Sequence, residues 1–127
     1  MRLRTVMPAL TVSDIETSVS WYRDVMGFIV TDEWTSKGRL GGATLKAGKV
    51  EFHLIQDDFA RGRRRKKGEG VRLYCSTAQN LDLMAADIKA RGGVLAQEPT
   101  DRPWGTRDFA VVDPDGFKIT ITAGQQA

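Results

Sequence analysis

VSDIETSVSWYRDVMGF, residues 12–28, reads as the end of a strand, then a capped amphipathic helix, then a stop. Ser13 and Glu16 have the spacing of a capping box, in which the hydroxyl accepts from the amide three residues on and the carboxylate reaches back. Ile15, Val19, Tyr22 and Met26 follow at helical intervals, so one stripe of the helix is apolar and turns toward a core. Gly27 supplies the left-handed backbone that ends such a helix. Working outward, residues 5–12 alternate Val6, Leu10 and Val12 with Thr5, Met7, Ala9 and Thr11, which predicts a strand with two unlike faces. Downstream, residues 28–35, 40–47 and 49–56 are strand-like, with a tight turn over 46–49.

The same order recurs in the second half. Residues 71–77 read as strand and 80–91 as helix, with Leu81, Met84, Ala85 and Ile88 as the apolar stripe and Gly92 as the stop. Strands over 94–98, 107–113 and 117–122 follow. Asp113, Pro114, Asp115 and Gly116 join the last two, because proline presets one backbone angle and aspartate and glycine tolerate a sharp reversal. The chain is therefore expected to be α+β, a single domain of two tandem βαβββ modules, 1–56 and 71–127, with 57–70 as a basic linker. Neither copy buries a core alone, so a site is expected between the paired modules.

With 127 residues, 41% of them hydrophobic, the chain is long enough for one ordinary core. Its net charge of +3 is concentrated in Arg61, Arg63, Arg64, Arg65, Lys66 and Lys67, and the rest is close to neutral. Such a run, without interleaved aromatics for base stacking, reads as a solvated loop, and no nucleic-acid partner is expected. There is no apolar run of membrane-spanning length and no basic-then-apolar leader, so no membrane contact is expected. Cys75 is the single cysteine and has no intramolecular partner, which fits a reducing, cytoplasmic setting.

The doubled module, the segment VSDIETSVSWY (12–22) with Gly27 and Phe28 after it, and PWGTRDFAVVDPDG (103–116) resemble the vicinal oxygen chelate superfamily. That group includes glyoxalase I, extradiol dioxygenases, fosfomycin resistance enzymes and bleomycin resistance proteins, and the likeness is nearest the bleomycin-resistance branch. The resemblance implies two modules curled into a mixed β half-barrel around a pocket, helices on the outer face, and a homodimer. It carries much less about chemistry, since members share a scaffold and differ in reaction.

Strand alternation then assigns faces. Phe52 and Leu54 would pack under the first helix while Glu51, His53 and Ile55 face the pocket. In the second module Arg72, Tyr74, Ser76, Lys118, Thr120 and Thr122 would point inward. Metal-dependent relatives carry ligands at positions that correspond to Met7, His53, Arg72 and Thr120. Only His53 is a competent ligand, for a thioether is soft, a guanidinium repels a cation and a threonine hydroxyl is a weak donor. No cofactor is expected; a divalent ion is the alternative and would need Glu51 as a second donor.

What remains is a pocket for a small organic molecule, aromatic or anionic in character. Met7, Trp34, Tyr74, Trp104 and Phe109 would supply apolar and aromatic surface, and Glu51, His53, Arg72 and Thr120 polar groups. Plainer readings stand beside these: Met7 as core filler, Trp104 as a loop anchor, Arg72 paired with Glu51. Function divides accordingly. The first reading is a metal-free binding protein; the alternative is an enzyme of the superfamily, a lyase, isomerase, dioxygenase or thiol transferase, or a metal-independent catalyst with His53 as general base.

Overall fold

The computed structural model describes residues 1–125, and the chain divides into two compact units at Arg65 and Lys66. The fold is α+β. Each unit is a mixed four-stranded sheet carrying one helix, and no helix among the described residues is long and apolar enough to cross a membrane.

In the first unit β1 (Ala9–Val12) leads into α1 (Ile15–Ser20), a π-helical turn (Trp21–Val25), then β2 (Ile29–Ser36), β3 (Arg39–Ala47) and β4 (Val50–Gln56). The sheet order is β1-β4-β3-β2, with β1 and β4 parallel and the other pairs antiparallel. β1 is shorter than the alternation predicts. Pro8 precedes it and has no amide proton, so its carbonyl receives the His53 amide at 2.9 Å but no bond returns, and pairing begins at Ala9. Val6 and Met7 are consequently exposed.

The helix cap also differs from the expected box. Asp14, not Ser13, is the N-cap, its carboxylate accepting from the amides of Glu16 (3.1 Å) and Thr17 (3.3 Å). Gln56 fixes the helix entry from the sheet: its Oε1 accepts from Ile15 N (2.9 Å) while Nε2 donates to the carbonyls of Ser13 (2.8 Å) and Asp57 (3.0 Å). After Ser20 the helix widens, the Met26 amide reaching back to Trp21 O at 3.1 Å. This turns Tyr22 fully inward against Phe28 and Phe52, with ring centroids 5.5 and 6.1 Å away in edge-on arrangements. Val12, Val19, Leu45 and Leu54 complete that core.

The second unit repeats the plan with β5 (Arg72–Ser76), α2 (Leu81–Ala90), β6 (Gln97–Asp101), β7 (Thr106–Val112) and β8 (Lys118–Gly124), in sheet order β5-β8-β7-β6. Asn80 caps α2 by accepting from Leu83 N, and Leu81, Ala85 and Ile88 are buried beside Phe109, Val111, Ile119 and Ile121. β6 lies three residues later than its predicted place, and Val94 is exposed. Pairing is set by Gln97 opposite Ala110, and the register slips before Thr100 around Pro99, which donates no ladder bond. The Asp113–Gly116 turn follows its sequence signature, with the buried Asp113 carboxylate accepting from Asp115 N and Phe117 N at 2.9 and 2.8 Å.

Candidate functional site

The registers place Ala9, His53, Thr44 and Asp32 in one cross-strand row of the first sheet, with Thr11, Ile55, Gly42 and Trp34 in the next row on the same face. The opposite face carries Leu10, Leu54 and Ala43, all buried. Parity therefore puts His53, Glu51, Ile55 and Trp34 on the face away from the buried core, as the alternation of β4 indicates.

Trp34 is held there by the absence of a side chain across the strand. A β-carbon on Gly42 would come within 2.0 Å of indole Cζ2, so only glycine lets the ring rest against the β3 backbone. The indole stays 38% exposed, and its centroid is 6.0 Å from the His53 ring. His53 is oriented in turn by Thr44, whose Oγ1 lies 3.2 Å from Nδ1. That bond leaves Nε2 as the ring nitrogen without an assigned role. Thr44 and Gly42 were not singled out in the sequence; the signal that finds them is their position directly opposite His53 and Ile55 once β3 and β4 are paired.

Trp34 and Ile55 also wall an open cleft of about 1080 Å³, closed elsewhere by the start of α1, the β2–β3 turn and the segment from Asp57 to Arg63. Asp57 is buried and its Oδ1 accepts from Phe59 N, which holds this segment in a tight knuckle. Arg63 stacks over Phe59 at 4.3 Å, and Arg65 lies 3.8 Å from the Asp57 carboxylate. Two cations of the basic run are thus engaged within their own loop. The cleft is of a size that accepts a drug-like molecule.

The second unit has its own polar face. Tyr74, opposite Thr120 and Ala110, is 67% exposed, and Arg72 is opposite Lys118. Asp108 is buried on this face and receives Nε and Nη2 of Arg102 at 3.0–3.2 Å, together with Nε2 of Gln97 at 2.8 Å. The Arg102 guanidinium, with the Gln97 amide adding to it, holds the Asp108 carboxyl below its usual range. Neither Arg102 nor Asp108 was singled out in the sequence, because an Arg six residues before an Asp has no reading until the β6–β7 hairpin brings them together.

Two expected contacts lie elsewhere. Phe109 is fully buried on the opposite face, across from Ile121 and beside Val111, while its neighbour Ala110 takes the face of Thr120. Met7 precedes β1 and takes no place on its face. Trp104 is 72% exposed in the turn between β6 and β7.

The donor set does not fit a divalent cation. His53 is the single imidazole, and Glu51, two residues away on the same face, stands opposite Lys46, whose Nζ is 3.9 Å from its Oε1. Among the described residues no three histidine, cysteine, aspartate or glutamate side chains converge. In the second unit the corresponding strands present Arg72 and Thr120, a permanent cation and a weak donor.

The model of the Glyoxalase/Bleomycin resistance protein/Dioxygenase superfamily matches residues 3–121. The chain belongs to this superfamily. A bleomycin resistance protein from Geobacillus stearothermophilus is 30% identical over 130 residues, covering 91% of this chain and 92% of that one. A virulence protein from Salmonella typhimurium is 28% identical over 117 residues, covering 89% and 78%. Its crystal structure superposes with a TM-score of 0.71 at 25% identity over 98% of this chain and 99% of that one. TnmS3, an antibiotic binding protein from Streptomyces sp. CB03234, shares the fold with a TM-score of 0.74 at 22% identity, covering 98% and 99%. The resemblance read from the helix entry, the repeat and the terminal turn is thereby established.

Proposed function

We propose that this member of the glyoxalase superfamily is a metal-free receptor for a small aromatic molecule, held against Trp34 in the cleft of the first module. The observation that carries the reading is the seating of the Trp34 indole on Gly42: a stacking surface built at the expense of a side chain, left partly open, beside Ile55 and the Thr44-oriented imidazole of His53. A 30%-identical relative over nine-tenths of the chain is a bleomycin resistance protein, which supports binding over turnover. In this reading His53, its ring centroid 6.0 Å from that of Trp34, meets the guest at the margin of the cleft, with Glu51 two residues farther along β4. Tyr74, Arg72 and Thr120 are proposed as ligand contacts on the second module's own face, where Arg72 favours an anionic group. A homodimer is part of the proposal, supported by the open edge of β2, which exposes Ile29. The setting is a reducing cytoplasm, in keeping with the lone Cys75, whose thiol is pushed up by burial and so kept unreactive.

The test is a thermal-shift screen of the purified protein against aromatic acids, aromatic amines and glycopeptide drugs, repeated with Trp34→Ala. A guest present at a hundred times its Kd stabilises the fold by about 2.7 kcal/mol, and the shift is expected to vanish in the variant. A stoichiometric metal in the purified protein that is lost with His53→Ala overturns the receptor reading. So does a set of stabilising guests indifferent to Trp34→Ala.

A further inference from the structure

The second module carries a feature that folding alone does not explain. Arg72 on β5 and Lys118 on β8 are directly opposite each other in the parallel ladder, on the same face as Tyr74 and Thr120. Directly opposed like charges on neighbouring strands, with Cβ atoms about 5 Å apart, destabilise a sheet. Among the described residues neither cation is in an ion pair, while Arg102 and Arg107 nearby each have carboxylate partners.

We infer that Arg72 and Lys118 form an anion-binding fork on the polar face of the second module, taking the carboxylate or phosphate of an organic guest bound there, distinct from the guest on Trp34, with its ring on Tyr74. The supporting frame is already built. Arg102 is locked onto the buried carboxylate of Asp108, which Gln97 also holds. Asp108 stands opposite Thr122, on the same face of β8 as Lys118 and Thr120. Arg102 is committed to Asp108 through two of its nitrogens; among the described residues Arg72 and Lys118 are in no ion pair. Tyr74 offers an exposed ring in the next row of the same face, opposite the buried Thr120. The inference rests on the receptor reading for the organic nature of what this protein binds and adds a second, anionic ligand on the other module.

The experiment compares 2-naphthoate with its uncharged analogue 2-naphthamide by amide chemical-shift titration of the whole chain. Naphthoate is expected to move the amides of Arg72, Tyr74 and Lys118 and to bind about ten to a hundred times more tightly than naphthamide, the value of a charge-assisted bond. The double variant Arg72→Gln, Lys118→Gln is expected to erase that ratio. Inorganic phosphate moving the same amides would mark the phosphate arm; no response to phosphate with a response to naphthoate would mark the carboxylate arm. Equal binding of the two naphthyl probes by the unaltered protein overturns the fork whether or not the variant folds. Shifts at Trp34 and His53 alone, with both probes, sink the fork and leave the receptor reading standing; shifts at Arg72 and Lys118 alone do the reverse.

Discussion

The indole of Trp34 presses on the Cα of Gly42 so closely that a β-carbon at position 42 would meet its five- and six-membered rings at 2.0 to 2.6 Å. In Gly42→Ala the ring must leave, and as a partly exposed side chain it can swing outward into solvent. The stability cost is expected to stay near or below about 1 kcal/mol, far less than overpacking a sealed core, while guest affinity falls at least as much as in Trp34→Ala. Urea unfolding with an indole N–H resonance as position marker checks both. A loss of several kcal/mol would show instead that Trp34 is structural.

Asp108 predicts an acid-sensitive second module. Hydrogen bonding from Arg102, then from Gln97, holds its carboxyl below the ordinary value of about 3.9. A depressed carboxylate stabilises the fold at pH values above its unfolded pKa and loses that contribution as the pH falls through its folded pKa. Unfolding midpoints are therefore expected to drop as the pH goes below the normal carboxylate range, and Asp108→Asn is expected to flatten that part of the profile. An unchanged slope in the variant would assign the acid sensitivity to other carboxylates, with Asp82 beside Arg107 the next to substitute.

Arg72 and Lys118 make the opposite prediction about stability. Arg72→Gln relieves a directly opposed like-charge pair and is expected to stabilise the free protein by a few tenths of a kcal/mol at low salt. Added salt screens the pair and should close the gap. A variant less stable than the parent at low salt would mean that Arg72 has a structural partner.

The parts of this fold that were legible share one property: a local signal that tertiary contacts had no reason to override. Phe52 and Leu54 against Glu51, His53 and Ile55 gave the faces of β4 because period two is rigid in a strand. The Asp113–Gly116 turn was legible because its chemistry is contained in four residues. Misplaced features depended on something outside their own window. β1 was read as starting at residue 5, but Pro8 interrupts the ladder with β4; β6 was read from Val94, but its register is set by Ala110 on another strand. The face of Phe109 has the same dependence, since it follows only from the pairing of β7 to β8. At the site, Trp34 and His53 were visible as residue types. The reason they belong together, Gly42 and Thr44 across the β3 ladder, became visible only with the register.

Gln56 is the clearest case of a residue that looks ordinary in sequence and ties two elements together. Its amide accepts from the first amide of α1 and donates to the Ser13 and Asp57 carbonyls, where α1 begins and the knuckle of the cleft leaves β4. Gln56→Ala removes the bond to the Ile15 amide and those to the two carbonyls, at about 1–3 kcal/mol. Asp14→Ala removes only the cap, at about 1 kcal/mol. Hydrogen exchange is expected to show faster opening of Ile15 to Ser18 in Gln56→Ala than in Asp14→Ala. The reverse order would make the cap, not the sheet-to-helix tie, the main support of this end of the cleft.

His53 separates binding from chemistry. Its ring is held through Nδ1 by Thr44, so Nε2 is the nitrogen left to meet a guest. His53→Gln keeps a hydrogen-bonding tip but removes the imidazole, the group a general base would need. For a receptor, guest affinity should fall by no more than about tenfold, the value of one neutral hydrogen bond. Thr44→Val should weaken binding by a similar factor, because the imidazole is then free to rotate away. A general base behaves differently: substituting glutamine would remove its contribution of about a hundredfold or more in rate while leaving affinity nearly intact. Isothermal titration beside a turnover assay on the same guest reads both quantities, and a collapse in rate at unchanged affinity would replace the receptor with a catalyst.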